Sequence, residues 1–276
     1  MTRSDTTRPT LADSLGELAE TEPLVQSLTN EVTINDVANL TLHWGGLPVM
    51  ADSPGDAGEM AELASAVLLN IGQIPDSKFE AMGEAAETAN DRGIPIVLDP
   101  VGVGSTPTRE AVAEELLTEY EFAAIKGNYG EISALAGVEA EVRGVESVGD
   151  YDAIEETARS LAESTGAVVV ASGVEDVVAD GDGTTRIAAG HERLGEVVGT
   201  GCMLGGTIAT FCGALEDARR AAVDGTLAFG IAGERAAELP HEGPASYRTN
   251  FHDAVAGLSA EAVAEYDLES RLEPIA

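Results

Sequence analysis

Several residue types are scarce in this 276-residue chain, and each scarcity excludes a class of protein. Two cysteines are too few for a disulfide framework, and they do not form the C-x-x-C motif of thiol redox proteins. Aromatic residues make up 4% of the chain and hydrophobic residues 44%, so alanine, valine, leucine and isoleucine must build the core. That mixture is expected where helices pack on a parallel sheet.

Basic residues are also scarce, and only two of them are lysines, Lys78 and Lys126. The 15 basic residues face 49 acidic ones, and the net charge of −34 repels nucleic acid. Acids spread along the whole chain are typical of halophile proteins, because molar salt shortens the screening length to about 3 Å. An ordinary acidic mesophile protein is the alternative. Without an apolar run long enough for a membrane span, we expect a soluble, cytoplasmic protein with no nucleic-acid or membrane partner.

Strand-like and helix-like periods alternate through the first two thirds of the chain, which predicts an α/β fold with a mainly parallel central sheet and helices on both faces. The predicted strands are Leu24–Leu28, Ala66–Ile71, Ile94–Leu98, Phe122–Ile125 and Ala167–Ala171. The predicted helices are Ile34–Trp44, Asp76–Asp91, Thr108–Glu119 and Tyr151–Ser164. Val177–Ala189 is predicted to be a hairpin, and the C-terminal third beyond residue 200 is predicted to be all-helical. We expect one domain over residues 1–276, with residues 1–20 as a loosely ordered extension.

Polar or glycine-rich clusters follow the predicted strands, where the active residues of such a sheet belong. These clusters are SLTNEVT at 27–33, PVMADSPGD at 48–56, LDPVGVGST at 98–106, IKGNYGE at 125–131, ASG at 171–173 and VGTGC at 198–202. In the last cluster, Gly199 and Gly201 allow a tight turn whose amides, with the following helix, favour an anion. The alternative is that these glycines only permit close packing of the helix start.

Cys202 follows that turn, and a helix N-terminus is expected to lower the pKa of a thiol. A phosphatase-type nucleophile would require an arginine where Ile208 stands, and no histidine is placed as a base for acyl transfer. The remaining hypotheses are a residue beside an anion site that touches the reacting substrate atom, and a small buried apolar side chain. Cys212 is predicted to belong to the core.

Two carboxylates and an amide at strand ends, Asp99, Asn128 and Glu131, are suited to holding Mg²⁺ through water beside phosphates. In so acidic a chain, a solvated surface position is the alternative for each acid. Lys126 directly follows a strand in a chain that otherwise avoids lysine. Neutralisation of a phosphate is the functional interpretation, and an exposed strand-end charge is the alternative.

The stretches TNEVTINDVANLTLHWGGLPVMAD, VLDPVGVG, IKGNYGEI and VGTGCMLG together resemble the hydroxyethylthiazole kinases of thiamine salvage, which have the ribokinase-like fold. The resemblance spans residues 22–265 and implies ATP-dependent phosphorylation of 4-methyl-5-(2-hydroxyethyl)thiazole, with Mg²⁺, in a homotrimer whose substrate sites lie between subunits. The implied thiazole contacts are Asn30, Met50 and Gly199; the ATP contacts are Lys126, where the family often has arginine, and Ser172; the metal and phosphate network is Asp99, Asn128 and Glu131. The implied catalytic residues are Cys202, which touches the attacking hydroxyl, and the turn residues Gly199, Thr200 and Gly201.

Three other functions remain open from the sequence. The same fold carries hydroxymethylpyrimidine kinases and the dehydratase that repairs hydrated NADPH, and a non-catalytic regulator could bind ATP or thiazole. The TN and PVM stretches and Cys202 favour the thiazole kinase over the first two. The presence of Asp99, Glu131 and the GTG turn disfavours the regulator.

Overall fold

The structure is a computed structural model that describes residues 10–138, 142–143, 146–147 and 153–275. Its strands are β1 (Leu24–Leu28), β2 (Leu47–Val49), β3 (Ala66–Asn70), β4 (Ile96–Asp99), β5 (Ala124–Asn128), β6 (Val142–Arg143), β7 (Glu146–Ser147), β8 (Val168–Ser172), β9 (Asp176–Ala179), β10 (Thr184–Ile187) and β11 (Leu272–Ile275). Its helices are α1 (Leu11–Thr21), α2 (Ile34–His43), α3 (Asp56–Ala61), α4 (Asp76–Arg92), α5 (Pro107–Glu119), α6 (Tyr129–Leu135), α7 (Ile154–Thr165), α8 (Thr200–Ala214), α9 (Ala218–Glu238), α10 (Pro244–Ala256) and α11 (Ala260–Val263). Two short 3₁₀ helices span Glu192–Glu196 and Glu269–Arg271.

Among the described residues, nine strands form one sheet in the order β11-β10-β9-β8-β5-β4-β3-β1-β2. The six strands from β8 to β2 run parallel, while β9, β10 and β11 are antiparallel additions at one edge. Strands β6 and β7 pair with each other as a separate antiparallel hairpin. The carboxyl ends of six strands therefore meet along one edge of the sheet, and the chain segments that follow them lie side by side.

The two faces of the sheet bury two separate hydrophobic cores. Leu68 and Val97 pack on the face covered by α1, α2, α8, α9 and α10, whereas their neighbours Leu69 and Leu98 pack on the face covered by α3, α4, α5 and α7. This alternation follows from the two-residue period of a strand. Burial on both faces explains why β3, β4 and β8 are apolar up to their last residue or two. The predicted α/β architecture, with helices on both faces, is confirmed.

Two terminal segments differ from the prediction. Residues 11–20, expected to be loosely ordered, belong to α1, in which Leu11, Leu15 and Leu18 are buried at the helical spacing that fixes it to the core. Residues 1–9 lie outside the described part of the chain. The C-terminal third is not entirely helical, because β11 pairs with β10. Four residues containing Pro274 give too short a pattern to predict, and proline is tolerated there because the strand lies at the edge of the sheet.

The predicted central elements agree with the structure to within a few residues. The predicted hairpin over 177–189 corresponds to β9 and β10, which the turn at 180–183 joins. The predicted helix Tyr151–Ser164 corresponds to α7, which spans Ile154–Thr165 with Ala153 as its N-cap. The predicted residues Tyr151 and Asp152 lie outside the described part of the chain. Three short elements, β2, α3 and α6, were not predicted, because runs of three to seven residues carry little periodicity.

Candidate active site

Polar side chains lie at the carboxyl ends of five of the six parallel strands, and Met50 follows the sixth. The strand order places these residues in a row. Along the sheet edge these residues are Ser172 of β8, Lys126 and Asn128 of β5, Asp99 of β4, Asn70 of β3, Asn30 just beyond β1, and Met50 just beyond β2. Residues that are far apart in the sequence thus become neighbours. The row has two ends, one toward β8 and the other toward β2.

A buried ion pair occupies the middle of this row. The Nζ of Lys126 lies 3.5 Å from Oδ1 of Asp99, and the two side chains are 4% and 0% exposed. Burial raises the pKa of Asp99 to about 6, and Glu131 adds to this effect while Lys126 opposes it. Burial alone would lower the pKa of Lys126, but the charges of Asp99 and Glu131 raise it above its usual value. The lysine is therefore a permanent buried cation, and the exposed strand-end alternative is wrong.

A chain of side-chain hydrogen bonds connects Asp99 to the thiol of Cys202. Asn70 donates its Nδ2–H to Asp99 Oδ2 at 2.6 Å. Asn30 donates its Nδ2–H groups to Asn70 Oδ1 at 3.1 Å and to Cys202 Sγ at 3.4 Å. Both asparagines are buried, so their orientation is fixed by these partners. The chain joins a carboxylate, two amides and a thiol into one unit.

The thiol itself differs from the prediction. Burial, followed by the negative charge of Asp99, raises the pKa of Cys202, with Lys126 acting in the opposite direction. The expected lowering by the helix N-terminus was wrong, because the side chain is 8% exposed and faces a carboxylate. Cys202 is therefore a neutral thiol near pH 7, with a weak S–H donor and a sulfur that accepts from Asn30.

The glycine turn before α8 brings this thiol and Lys126 together. Gly199 has φ +95°, and a Cβ on it would lie 2.4 Å from Thr33 Cγ2, so only glycine fits. A Cβ on Gly201 would lie 3.1 Å from Lys126 Nζ, which places the ammonium directly against the first turn of α8. Amides in the first turn of a helix lack intrahelical partners, and here they face a buried cation. Both features favour an anion at this point.

A cavity of about 1090 Å³ opens beside this turn, toward the β8 end of the row. Four of the predicted site residues, Asn128, Ser172, Thr200 and Gly201, line it, together with residues of the segment 189–195 and of α9. Its volume is at the upper end of the range for small-molecule sites, large enough for a nucleotide. The predicted anion-binding turn is therefore open to a deep cavity.

The comparisons with known proteins identify the family. A model of the hydroxyethylthiazole kinase family matches residues 15–261. The chain belongs to this family. It is 49% identical over 272 residues to the hydroxyethylthiazole kinase of Haloquadratum walsbyi, covering 98% of this chain and 94% of the relative. The solved structure of the hydroxyethylthiazole kinase of Pyrococcus horikoshii has a TM-score of 0.87 and 34% identity, covering 96% of this chain and 99% of that one.

A more distant likeness concerns the fold alone. A ribokinase-like superfamily protein of Enterococcus faecalis has a TM-score of 0.64 at 10% identity, covering 92% of each chain. The predicted ribokinase-like architecture and the resemblance to hydroxyethylthiazole kinases are thus both confirmed.

The carboxylate of Glu131 is held by backbone amides of the site. Glu131 is 3% exposed, and its two carboxylate oxygens accept from the amides of Gly102 at 2.7 Å and Asn128 at 2.8 Å. The Oδ1 of Asn128 in turn accepts from the Glu131 amide at 2.9 Å, which completes a capping box for α6. Neither Asp99 nor Glu131 is the solvated surface acid that composition favours.

The oxygen atoms of Asp99, Asn128 and Glu131 fit Mg²⁺ only if waters and substrate phosphates complete its coordination shell. Asp99 Oδ1 accepts no hydrogen bond from the described residues and is fully buried. The described residues contain no group of three or more acidic, histidine or cysteine side chains that could enclose a metal ion. Mg²⁺ is commonly held by one or two carboxylates with waters and substrate phosphates, and this set corresponds to that mode.

Met50 lies at the end of the row that is away from the nucleotide-sized cavity. It follows β2 at the outer edge of the sheet and is half-buried, whereas Asn30 and Cys202 are in direct contact. The site therefore has a nucleotide-sized cavity at one end of the row and Met50 beyond the other end.

Asn70 is the residue that the sequence analysis missed. It bridges Asp99 and Asn30, yet it was counted only as part of the apolar strand Ala66–Ile71. A single polar residue at the end of an otherwise apolar buried strand was the available signal, since the other polar clusters stand at the same place in their strands.

No helix in the described part of the chain combines the length and the apolarity that a membrane crossing requires.

Proposed function

We propose that this chain transfers the terminal phosphoryl group of ATP to the hydroxyl of 4-methyl-5-(2-hydroxyethyl)thiazole in thiamine salvage, as a cytoplasmic enzyme whose residues 1–276 form one kinase domain. The observation that supports this most strongly is the unbroken chain of contacts from Lys126 through Asp99, Asn70 and Asn30 to Cys202. It connects the edge of a nucleotide-sized cavity to the amide of Asn30 and the thiol of Cys202, which are groups that can hydrogen-bond an alcohol. Membership of the hydroxyethylthiazole kinase family supports the acceptor.

Lys126 and the first amides of α8 stabilise charge in this mechanism. The terminal phosphate lies against Gly201, within reach of the Lys126 ammonium, and Ser172 and Asn128 line the remainder of the nucleotide cavity. Phosphoryl transfer has a loose transition state whose charge is spread over the equatorial oxygens, so positioning and electrostatics provide most of the catalysis. A fixed buried cation requires no reorganisation as that charge develops.

Cys202 and Asn30 orient the acceptor. The neutral thiol of Cys202 accepts from Asn30 and contacts the attacking hydroxyl, and Met50 and Gly199 contact the thiazole. The hydroxyl oxygen forms the new bond to the γ-phosphorus as the bond to the leaving ADP oxygen breaks, and the hydroxyl proton passes to a phosphoryl oxygen and from there to water. A loose transition state demands little from a base, so a thiolate is not required.

Asp99, Asn128 and Glu131 are the residues that would hold Mg²⁺ through water. Bound there, the ion would neutralise phosphate oxygens. The protein's own contribution is to hold Asp99 ionised beside Lys126 and to fix the segment around Gly102 through Glu131.

We also propose a homotrimer with the acceptor sites between subunits. Gly199 lies against Thr33, so the adjoining residues Val198 and Val32 stand on neighbouring loops beside the acceptor end, 77% and 65% exposed. Leu47 of the edge strand β2 is 47% exposed near Met50. A second copy of the chain would cover these apolar side chains and enclose the thiazole.

The experiment that tests the proposed function measures ADP formation with the thiazole alcohol as acceptor, across a series of KCl concentrations. The hydroxymethylpyrimidine alcohol serves as the control acceptor. We expect a phosphorylated thiazole product, confirmed by its mass, and little ADP with the pyrimidine. Equal rates with both acceptors, or ADP without a phosphorylated product, would contradict the assignment.

A further inference from the structure

The chain's other lysine, Lys78, is also buried, although the 49 acidic residues of the chain offer many exposed carboxylates with which it could pair. Lys78 is the third residue of α4 and is 8% exposed. Its Nζ donates to the carbonyl oxygen of Thr29 at 2.6 Å and pairs with Asp52 Oδ2 at 3.0 Å. Burial of an ammonium is costly unless it is paired and hydrogen-bonded, and here it is both.

Each partner of Lys78 adjoins a residue of the acceptor site. Thr29 directly precedes Asn30, and Asp52 follows Met50 by two residues. The two segments come from different strands, β1 and β2, and leave the sheet beyond their carboxyl ends. One ammonium therefore connects the backbone that carries Asn30 to the segment that carries Met50.

The same region of the chain holds Asn30 from its other side. Gln73, which precedes α4, accepts from the amide of Glu31 through its Oε1 at 2.9 Å. The carbonyl before Asn30 and the amide after it are thus both bonded to the segment 73–78. Asn30 Oδ1 also accepts from the amide of Thr33 at 3.1 Å, so its Nδ2 group can point only toward Asn70 and Cys202.

We propose that Lys78 is a positioning residue for the acceptor alcohol, an inference that rests on the proposed function. It holds the Asn30 and Met50 segments at a fixed separation and so sets the width of the thiazole site. The two segments that Lys78 connects follow β1 and β2, whereas the nucleotide cavity opens at the β8 end of the row. Its loss should therefore weaken the binding of the alcohol and leave the nucleotide site intact.

The test compares Lys78→Met with a control on the same helix, Arg92→Met. Arg92 pairs with Glu62 at 2.8 Å, and both side chains are about half exposed, so its loss changes α4 without reaching the site. We expect Lys78→Met to raise the KM for the thiazole alcohol about tenfold or more, with kcat and the KM for ATP changing less than about threefold. Calorimetric titration with the alcohol should show the same loss of affinity.

Asp52→Asn tests the proposal if Lys78→Met does not fold. It removes the charge partner and keeps the bond from Lys78 to Thr29, so we expect a smaller rise in the same KM, about threefold. Lys78→Arg should retain part of the affinity, because it keeps the charge. Two results would overturn the role of Lys78 and leave the proposed function standing. One is a rise in the KM for ATP equal to the rise in the KM for the alcohol. The other is an unchanged KM for the alcohol in folded Asp52→Asn and Lys78→Met. A wild-type protein inactive with the thiazole alcohol would overturn the proposed function and this inference with it.

Discussion

Replacement of Lys126 by methionine tests the electrostatics of the buried ion pair. At 3.5 Å the pair attracts by about 5 kcal/mol with an effective dielectric constant near 20. The variant should lose much less stability than this, because the remaining Asp99 can take up a proton. Its pKa is already about 6 with the lysine present, so at pH 7 the cost of neutralising it is roughly 1–2 kcal/mol. Without the lysine the pKa rises further and the cost falls.

Catalysis should change far more than stability. Loss of the cation that faces the transferring phosphoryl group is expected to lower kcat by about 100-fold to 1000-fold. The pH profile supplies a second signature. If ionised Asp99 is required, the wild-type rate falls below about pH 6, and this acidic limb moves to higher pH in Lys126→Met because the lysine lowers the pKa of Asp99.

The assay is the initial rate of ADP formation in high KCl over a range of pH, with melting temperatures of the same samples. Lys126→Arg is the matched control, since it keeps the charge. A folded Lys126→Met protein with kcat within tenfold of the wild type, or with an unmoved acidic limb, would refute the role of the ion pair.

Three further predictions concern the glycine turn, the thiol and a histidine pair. Gly199→Ala should lower kcat and destabilise the protein by about 1–3 kcal/mol, because φ at this position is +95° and the new Cβ would lie 2.4 Å from Thr33 Cγ2. Adding Thr33→Ser removes Cγ2, so partial recovery of the melting temperature in the double variant would identify the clash as the cause. Cys202→Ser should keep kcat within about tenfold of the wild type, because a neutral hydrogen-bond donor is enough to orient the attacking hydroxyl. Cys202→Ala, which has no donor, should lower kcat further. An equal loss of kcat in the two variants would contradict this. Burial lowers the pKa of both His43 and His252, which lie 3.3 Å apart between their Nδ1 atoms, so the stability they contribute is present above about pH 6.5 and lost as pH falls through the folded values. The melting temperature of the wild type should therefore fall more between pH 7.5 and 5.5 than that of His43→Gln/His252→Gln, and equal changes would refute this.

The central strands could be predicted because they are buried on both faces. Ala66–Ile71 was predicted to within one residue of β3, since the continuous apolar run from Ala66 to Leu69 has few alternatives. Strand β2 could not be predicted in the same way, because three half-exposed residues containing Pro48 show no period. Helix α6 is also too short to show a period, but its N-terminus carried a signal of another kind. The spacing of Asn128 and Glu131 was interpreted only as a metal network, although N-x-x-E is also a capping-box pattern.

The sequence predicts which strand ends carry the residues of the candidate site, but not which of these residues contact one another. Parallel strands bring their carboxyl ends to one edge, which predicted that Asp99 and Lys126 would lie near each other. The order of the strands cannot be derived from a single sequence, so the bridging role of Asn70 between β4 and β1 was not visible. The pKa of Cys202 was predicted in the wrong direction because a helix-terminus argument omits burial, and burial depends on tertiary packing.

The burial of Lys126 bears on how so acidic a chain would bind the proposed ATP substrate. A surface with a net charge of −34 repels ATP, but molar salt screens exposed charges beyond about 3 Å. Lys126 is 4% exposed and lies in a region that salt reaches poorly, so its attraction for a phosphate survives where that of a surface arginine would not. We therefore expect phosphate binding at the buried Lys126 to depend only weakly on salt, which binding of ATP measured across a KCl series would check.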